Sequence, residues 1–286
     1  DRGRRAVAGQ RQRASQGRLS VSAADAPFPV AVVTGAASGL GREFVLLLAE
    51  RGWRCVAADV DEAGLAGTLG AAGSAAVRPQ RTDVCDPAAM QALADSVFRQ
   101  EQRLDLLVNN AAILDTGRCW EMPLERWRRI LDVNLMGVVN ALHAFVPRFI
   151  AQGHGQVLNI ASAAALSAHA HVAAYTAAKH GVLALSECLG RELAELGSAV
   201  QVSVAFPGAI DTGIARSLRA RPAAERLPID ELLGDLAARG EPPRLVARAI
   251  VDALPTGAFA LFPQPRVADQ AWRRIERLLP PRQTPG

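Results

Sequence analysis

Lysine and tyrosine are almost absent from this chain of 286 residues: each occurs once, as Lys179 and Tyr175. The four cysteines are widely separated and form neither a Cys-x-x-Cys pair nor a cluster with histidine. We therefore expect reduced thiols, a cytoplasmic protein and no metal site. No apolar run approaches the ~18 residues of a membrane span, and the first segment lacks the apolar centre of a secretory signal.

The net charge of +4 comes largely from arginines within residues 1–18. The rest of the chain is nearly neutral and has no concentrated basic face of the kind that binds nucleic acid. Residues 1–27 are rich in arginine and serine, as organellar transit peptides are. A disordered extension is the better explanation, because so few apolar residues cannot offset the entropy lost on ordering.

Short β-type runs alternate with helical stretches from residue 28 to 265, which predicts one α/β domain with a doubly wound, Rossmann-type parallel sheet of seven strands and helices on both faces. The predicted strands are Val30–Thr34, Arg54–Asp59, Ala75–Arg78, Leu104–Asn109, Gln156–Ala161, Val200–Ala205 and Ala258–Phe262. The predicted helices are Gly39–Arg51, Ala63–Ala71, Pro87–Glu101, Leu124–Ala151, His171–Leu196 and Pro243–Ala253.

Two further segments stand apart from this alternation. Residues 210–240, here named the lid segment, fit it poorly, and long irregular insertions are usually lids or binding loops. Residues 266–286 are predicted to be a C-terminal helix and tail, with an amphipathic helix over Val267–Leu279.

A glycine-rich turn connects the first predicted strand to the first helix. It reads Thr34-Gly35-Ala36-Ala37-Ser38-Gly39-Leu40-Gly41. Glycines let the backbone approach a pyrophosphate, and the free N–H groups at a helix N-terminus attract its charge. The pattern alone also fits an ordinary tight turn, so its meaning depends on the residues that follow.

Two acidic residues follow the second and third strands and strengthen the case for a dinucleotide. Asp59 ends the second strand, where a carboxylate accepts hydrogen bonds from the adenosine ribose and repels a 2′-phosphate, so NAD is favoured over NADP. Asp83 follows the third strand, where the adenine would lie, although an acid there also serves as a turn or cap residue. Arg42 and Arg54 are the nearest candidates to bind a 2′-phosphate.

Tyr175 and Lys179 stand four residues apart in a helical stretch and therefore share one helix face. Hydride transfer makes or consumes an alkoxide-like oxygen, which needs a proton partner near neutral pH. A free tyrosine has a pKa of about 10, and a neighbouring ammonium typically lowers such a value by about 1 to 3 units. We assign Tyr175 as the general acid/base and Lys179 as the residue that tunes it.

Two polar residues could complete this site. Ser162 follows the fifth strand, thirteen residues before Tyr175, and its hydroxyl could orient and polarise the substrate oxygen. Asn134 is a poor residue for a helix interior, so its side chain could interrupt the backbone ladder and hold a water leading to Lys179.

In this order and spacing the motifs resemble those of the short-chain dehydrogenases/reductases, in their single-domain branch. The resemblance rests on TGxxxGxG at Thr34–Gly41, Asp59, Asp83-Val84, Asn109-Asn110-Ala111-Ala112, Asn134, Ser162, Tyr175-x-x-x-Lys179 and Pro207-Gly208 with Thr212. It implies a catalytic tetrad of Asn134, Ser162, Tyr175 and Lys179, and a homodimer or homotetramer. It also implies cofactor contacts at Thr34, Gly35, Ser38, Gly39, Leu40, Gly41, Asp59, Asp83, Val84, Asn110, Tyr175, Lys179, Ile210 and Thr212.

The alternative is a catalytically silent NAD-binding regulator of the same fold, although sensing NAD requires neither Ser162 nor Tyr175. An epimerase or dehydratase of the longer branch would have TGxxGxxG spacing and a larger C-terminal domain, and a methyltransferase would not need the Tyr-Lys pair. We expect a small alcohol or ketone substrate, hydrophobic in character because Ile214, Leu218, Leu227 and Ile229 fall in the lid segment.

Overall fold

The computed structural model describes residues 28–214, 218 and 226–278. The predicted basic extension, part of the lid segment and the end of the C-terminal tail lie outside these residues. Seven parallel strands form one sheet in the order β3-β2-β1-β4-β5-β6-β7, which confirms the predicted fold class. The strands are β1 Val30–Thr34, β2 Arg54–Asp59, β3 Val77–Arg81, β4 Leu106–Asn109, β5 Gln156–Ile160, β6 Gln201–Ala205 and β7 Ala260–Leu261.

Helices connect the strands and cover both faces of the sheet. They are α1 Gly39–Glu50, α2 Glu62–Ala72, α3 Pro87–Gln100, α4 Leu124–Leu131, α5 Gly137–Gln152, α6 Ala173–Glu195, α7 Pro228–Ala238, α8 Pro243–Ala253 and α9 Arg266–Leu278. Alternate residues of β1 face opposite sides of the sheet. Val30 and Val32 pack into the core under α3, α5 and α6, whereas Ala31 and Val33 pack into the core under α1 and α8.

The strand register places the candidate site residues at one edge of the sheet. Thr34 pairs with Ala58 and Asn109 with Asn159, so the carboxyl ends of the central strands lie side by side. In open α/β sheets, ligands bind in the crevice at this edge, where the strand order reverses. That reversal lies between β1 and β4, next to the glycine-rich turn.

Most elements match their predicted bounds to within two residues, and the differences that matter for the site concern four elements. β3 continues through Pro79 to Arg81, because an edge strand tolerates the missing N–H of proline. The helix carrying Tyr175 begins at Ala173, since His171 has a left-handed φ of 67° that no α-helix accepts. The lid segment is not wholly irregular, because it contains α7.

The fourth difference concerns the long helix predicted over Leu124–Ala151. A π-helical turn over Asp132–Met136 divides it into α4 and α5, and Asn134 lies within that turn. The run Leu124–Gln152 is long and apolar enough to span a membrane, but 56% of its most apolar window is buried inside the fold. A helix in a protein core gives the same pattern.

Candidate active site

The glycine-rich turn forms a tight floor at the start of α1. A Cβ on Gly41 would lie 2.0 Å from the carbonyl oxygen of Gly35, so only glycine permits this packing. Gly39 has a φ of 52°, a left-handed conformation that favours glycine. Ser38 is the exposed N-cap of α1, and its side chain makes no capping bond within the described chain. Its hydroxyl and the first N–H groups of α1 lie at a helix N-terminus, the kind of position that suits a pyrophosphate.

Thr34 supports this floor from below. Its side chain is buried, and its hydroxyl oxygen accepts hydrogen bonds from the N–H groups of Asn110 at 3.0 Å and Ala111 at 3.2 Å. The Asn110 side chain in turn donates to the carbonyl oxygens of Thr34 and Gly35 at 2.9 and 3.2 Å. The two loops are thus held together by residues that had been expected to contact the cofactor.

Asp59 faces the same floor. Its carboxylate accepts hydrogen bonds from the N–H groups of Ala37 and Asp61, both at 3.0 Å. Both candidate arginines have partners within the protein. Arg42 is held beneath the turn, where it donates to the Ala37 carbonyl oxygen at 2.6 Å, and Arg54 pairs with Glu101 at the opposite end of β2.

The expected adenine end of the crevice contains Asp83 and Val84. Asp83 is exposed, and its carboxylate accepts a hydrogen bond from the Cys85 N–H at 2.9 Å. Val84 is buried and lines a small crevice with Thr34 and Ala111. Asn140, which sequence reasoning missed, donates to the Val84 carbonyl oxygen at 2.9 Å and fixes this segment.

Tyr175, Lys179 and Ser162 come together beyond the carboxyl end of β5. Lys179 is buried, and its ammonium donates to the Ile160 carbonyl oxygen at 2.8 Å. Its nitrogen lies 5.7 Å from the centre of the Tyr175 ring. The Tyr175 phenol interacts with the Ser162 hydroxyl, which also accepts a hydrogen bond from the Ala164 N–H at 3.1 Å.

Burial is the largest influence on the protonation of this pair. It raises the pKa of the Tyr175 phenol above its ordinary value, although the hydrogen bond from Ser162 opposes that shift. Burial also lowers the pKa of Lys179 from 10.5 to about 8. Each group is thus displaced toward its neutral form, because a charge is costly where water is excluded. Strongly perturbed titratable groups in a cleft are typical of functional sites.

Asn134 lies next to these residues but uses its side chain structurally. Its carbonyl oxygen accepts from the Ile113 N–H and its amide group donates to the Ile113 carbonyl oxygen, both at 2.8 Å. Both ends of the side chain therefore hold the loop after β4. The π-helical turn interrupts the regular α-helical hydrogen-bond ladder at Asn134.

Ile210 and Thr212 begin the lid segment. Ile210 pairs with Glu241 in an isolated parallel bridge, and the Thr212 N–H donates to the Ile210 carbonyl oxygen at 2.8 Å. The Thr212 methyl group would lie 3.3 Å from a Cβ placed on Gly39. Thr212 thus lies against the glycine-rich turn.

A family model described as short chain dehydrogenase matches residues 29–223. The chain belongs to the short-chain dehydrogenase family. It is 37% identical over 264 residues to 1-deoxy-11-beta-hydroxypentalenate dehydrogenase of Streptomyces exfoliatus, covering 88% of this chain and 90% of that protein. It is also 36% identical over 263 residues to the probable oxidoreductase EphD of Mycobacterium tuberculosis, where 86% of this chain matches only 44% of the relative.

Two solved structures of family members resemble this one. A short-chain dehydrogenase/reductase from Burkholderia phymatum in complex with NAD is 32% identical with a TM-score of 0.81, covering 91% of this chain and 98% of that one. An actinorhodin polyketide ketoreductase with NADPH is 29% identical with a TM-score of 0.72, covering 82% and 95%. The family thus includes members with either nicotinamide cofactor.

Proposed function

We propose that this protein interconverts an alcohol and the corresponding ketone with NAD(H), using Tyr175 as the general acid/base. The observation that carries the proposal is the meeting of Tyr175, Ser162 and Lys179 at the sheet edge that also carries the glycine-rich turn. A phenol, a hydroxyl and an ammonium at that edge match the needs of proton transfer to or from a substrate oxygen.

The bound nicotinamide would accept or supply the hydride, and this chain's residues would manage the proton. Ser162 would orient the substrate oxygen through its hydroxyl, and Tyr175 would take or give the proton at that oxygen. Lys179 would hold the cofactor ribose and, when protonated, favour the tyrosinate form. Backbone groups in the π-helical turn at Asn134 would keep a water that connects Lys179 to solvent.

The proposed preference for NAD rests on Asp59 and on the positions of the two arginines. A carboxylate at the end of β2 repels a 2′-phosphate. Arg42 is committed to the Ala37 carbonyl oxygen, and Arg54 lies at the other end of the strand, so neither compensates this repulsion. Because one solved family member is in complex with NAD and another with NADPH, the affinity of this protein for the two cofactors must be compared directly.

The proposed substrate is a hydrophobic alcohol or ketone. Apolar side chains of the lid segment would line the substrate site, and one of them, Leu218, is only 1% exposed. We further propose that the protein is cytoplasmic and forms a homodimer or homotetramer. All four cysteines are free thiols, as expected in a reducing compartment.

The test measures nicotinamide absorbance with NAD⁺, a panel of hydrophobic secondary alcohols, and the wild-type and Tyr175→Phe proteins. Wild type should oxidise at least one alcohol, and the variant should lose turnover while still binding NAD⁺. Turnover at wild-type rates in Tyr175→Phe would refute the role of the tyrosine. Tight NAD⁺ binding without turnover of any alcohol or ketone would favour the silent regulator instead.

A further inference from the structure

The lid segment leaves and rejoins the body of the protein at one point. Ile210 forms a bridge with Glu241, and the Asp211 N–H donates to the Glu241 carbonyl oxygen at 3.1 Å. A Cβ on Gly240 would lie 2.8 Å from the backbone of Ala209, so the two ends of the segment are in close contact. The two ends of the segment are therefore fixed at its base, and α7 needs a separate attachment to be held against the body of the protein.

Asp230, near the start of α7, provides such an attachment. It is completely buried, with 0% of its surface exposed. One carboxylate oxygen accepts from the Leu227 N–H at 2.9 Å, as an acid in the first turn of a helix often does. The other oxygen accepts a hydrogen bond from the Thr116 hydroxyl, 114 residues away. A helix cap needs neither full burial nor this second contact, so Asp230 does more than begin α7.

Thr116 belongs to a short strip, residues 115–117, that also contacts the segment before Tyr175. Arg126 of α4 forms an ion pair with Asp115 and donates to the Thr116 carbonyl oxygen at 3.2 Å, which fixes the strip from one side. On the other side, Gly117 donates to the His171 carbonyl oxygen at 2.8 Å and forms a bridge with Val172. Val172 is the residue directly before α6.

We propose that Asp230 is a positioning residue, whose bond to Thr116 fastens α7 to the strip that contacts the segment before Tyr175, and so keeps α7 at the substrate side of the site. This proposal rests on the proposed function for its effect on substrate, but not for the attachment itself. Thr116 is 1% exposed, so the contact is shielded from water, where a hydrogen bond to a carboxylate is strong. Loss of the contact should free α7 without disturbing the sheet or the glycine-rich turn.

The attachment is tested by hydrogen exchange of the whole chain without ligand. Thr116→Val keeps the shape of the side chain and removes the hydroxyl, and it should speed amide exchange in residues 228–238 by about tenfold. Exchange in β1 and β4 should stay at the wild-type rate. Thr116→Ser restores the hydroxyl and should restore slow exchange. Glu231→Gln, which removes an exposed carboxylate from the same helix, is the matched control and should behave as wild type.

Unchanged exchange of residues 228–238 in Thr116→Val would overturn the proposal. If that variant loses protection throughout the sheet, Asp230→Asn takes its place, because it keeps the shape and one acceptor but removes the charge. It should speed exchange of α7 by about threefold, and no change there would also overturn the proposal.

Steady-state kinetics then test whether the contact between Thr116 and Asp230 affects substrate binding. With NAD⁺ and the best of cyclohexanol, isopropanol, menthol and borneol, Thr116→Val should raise the KM for the alcohol by about tenfold with little change in NAD⁺ affinity. A fall in kcat of about tenfold at constant KM would contradict a positioning role. If wild type oxidises no alcohol, the proposed function fails, whereas the exchange experiment still decides whether Asp230 holds the lid.

Discussion

The ammonium nitrogen of Lys179 lies 5.7 Å from the centre of the Tyr175 ring and donates a hydrogen bond to the Ile160 carbonyl oxygen. The ammonium is therefore near the phenol but bonded to the end of β5. Burial raises the pKa of Tyr175, and its hydrogen bond with Ser162 opposes that rise without cancelling it. Under the proposed function, the positive charge of oxidised nicotinamide near the phenol would lower this pKa.

The pKa of the Tyr175 phenol can be measured directly, because Tyr175 is the only tyrosine in the chain. Ultraviolet difference titration of the cofactor-free protein should show tyrosinate forming above the ordinary pKa of about 10. Saturating NAD⁺ should lower that pKa by at least about one unit, because opposite charges at contact range favour the ionised form. Tyr175→Phe should abolish the signal, and a cofactor-free pKa below the ordinary value would contradict the role given to burial.

Burying the Lys179 ammonium should lower the free energy of unfolding, although the proposed activity requires this residue. Its pKa is about 8 in the folded protein against an ordinary value of 10.5, so the folded state binds this proton less tightly than the unfolded chain does. The free-energy cost of burying the charged ammonium is greatest below pH 8, falls as the pH rises from 8 to 10.5, and is absent above that range. From about pH 7 to about pH 9.5, this group alone should raise the free energy of unfolding by about 2 kcal/mol.

Lys179→Met tests this cost. At about pH 7 it removes about 3 kcal/mol of charge burial and loses about 1 kcal/mol with the bond to Ile160, so it should be more stable by about 2 kcal/mol, yet inactive. Urea unfolding should also show a weaker rise of stability with pH than in wild type. Lys179→Arg is the control, since a guanidinium stays charged and should not stabilise the protein. A less stable Lys179→Met protein would show that burial of the ammonium is well compensated.

Asp59→Asn should weaken the discrimination against NADP⁺. It removes the charge but keeps an oxygen that can accept from Ala37, so the glycine-rich turn stays in place. The ratio of kcat/KM for NADP⁺ over NAD⁺ should rise by about tenfold, a typical effect of removing one repulsive charge. Asp61→Asn, two residues further along, leaves Asp59 intact and should keep the wild-type ratio. An unchanged ratio in Asp59→Asn would place discrimination elsewhere.

Gly41→Ala and Gly70→Ala should have opposite effects. A Cβ on Gly41 would overlap the Gly35 carbonyl oxygen, so the turn must open at a cost of about 2 kcal/mol or more, and NAD⁺ affinity should fall sharply. A Cβ on Gly70 in α2 would meet nothing within 4 Å, so alanine there should stabilise the protein by about 0.5 to 1 kcal/mol. Thermal unfolding and NAD⁺ titration of both variants check the pair. Normal NAD⁺ affinity in Gly41→Ala would contradict the close packing of Gly41 against the Gly35 carbonyl oxygen.

The sequence predicts strands best where both faces of the sheet are covered. β1 and β2 match their predicted bounds, because buried parallel strands are near-continuous apolar runs. At the sheet edge, the prediction stopped before Pro79, since only the position of β3 makes that proline acceptable. The start of α6 was misplaced because nothing in the local sequence indicates the positive φ of His171.

The candidate site was predictable where its motifs are local. The Tyr175 and Lys179 spacing places both on α6, and the glycines lie in one turn. The support beneath them was not predictable, because it joins distant parts of the chain. Thr34 binds the loop at Asn110, and Thr116 binds Asp230, across 76 and 114 residues. Such contacts follow from the three-dimensional packing and leave no periodic signal in the sequence.

The bridge between Ile210 and Glu241 brings the two ends of the lid segment together, so the chain departs from the sheet and returns to it at one place. Substitutions on α7 can therefore change the surface near the candidate site without altering β6 or α8. Under the proposed function, this arrangement would let substrate range diverge between relatives while the residues that handle the proton and the hydride stay the same.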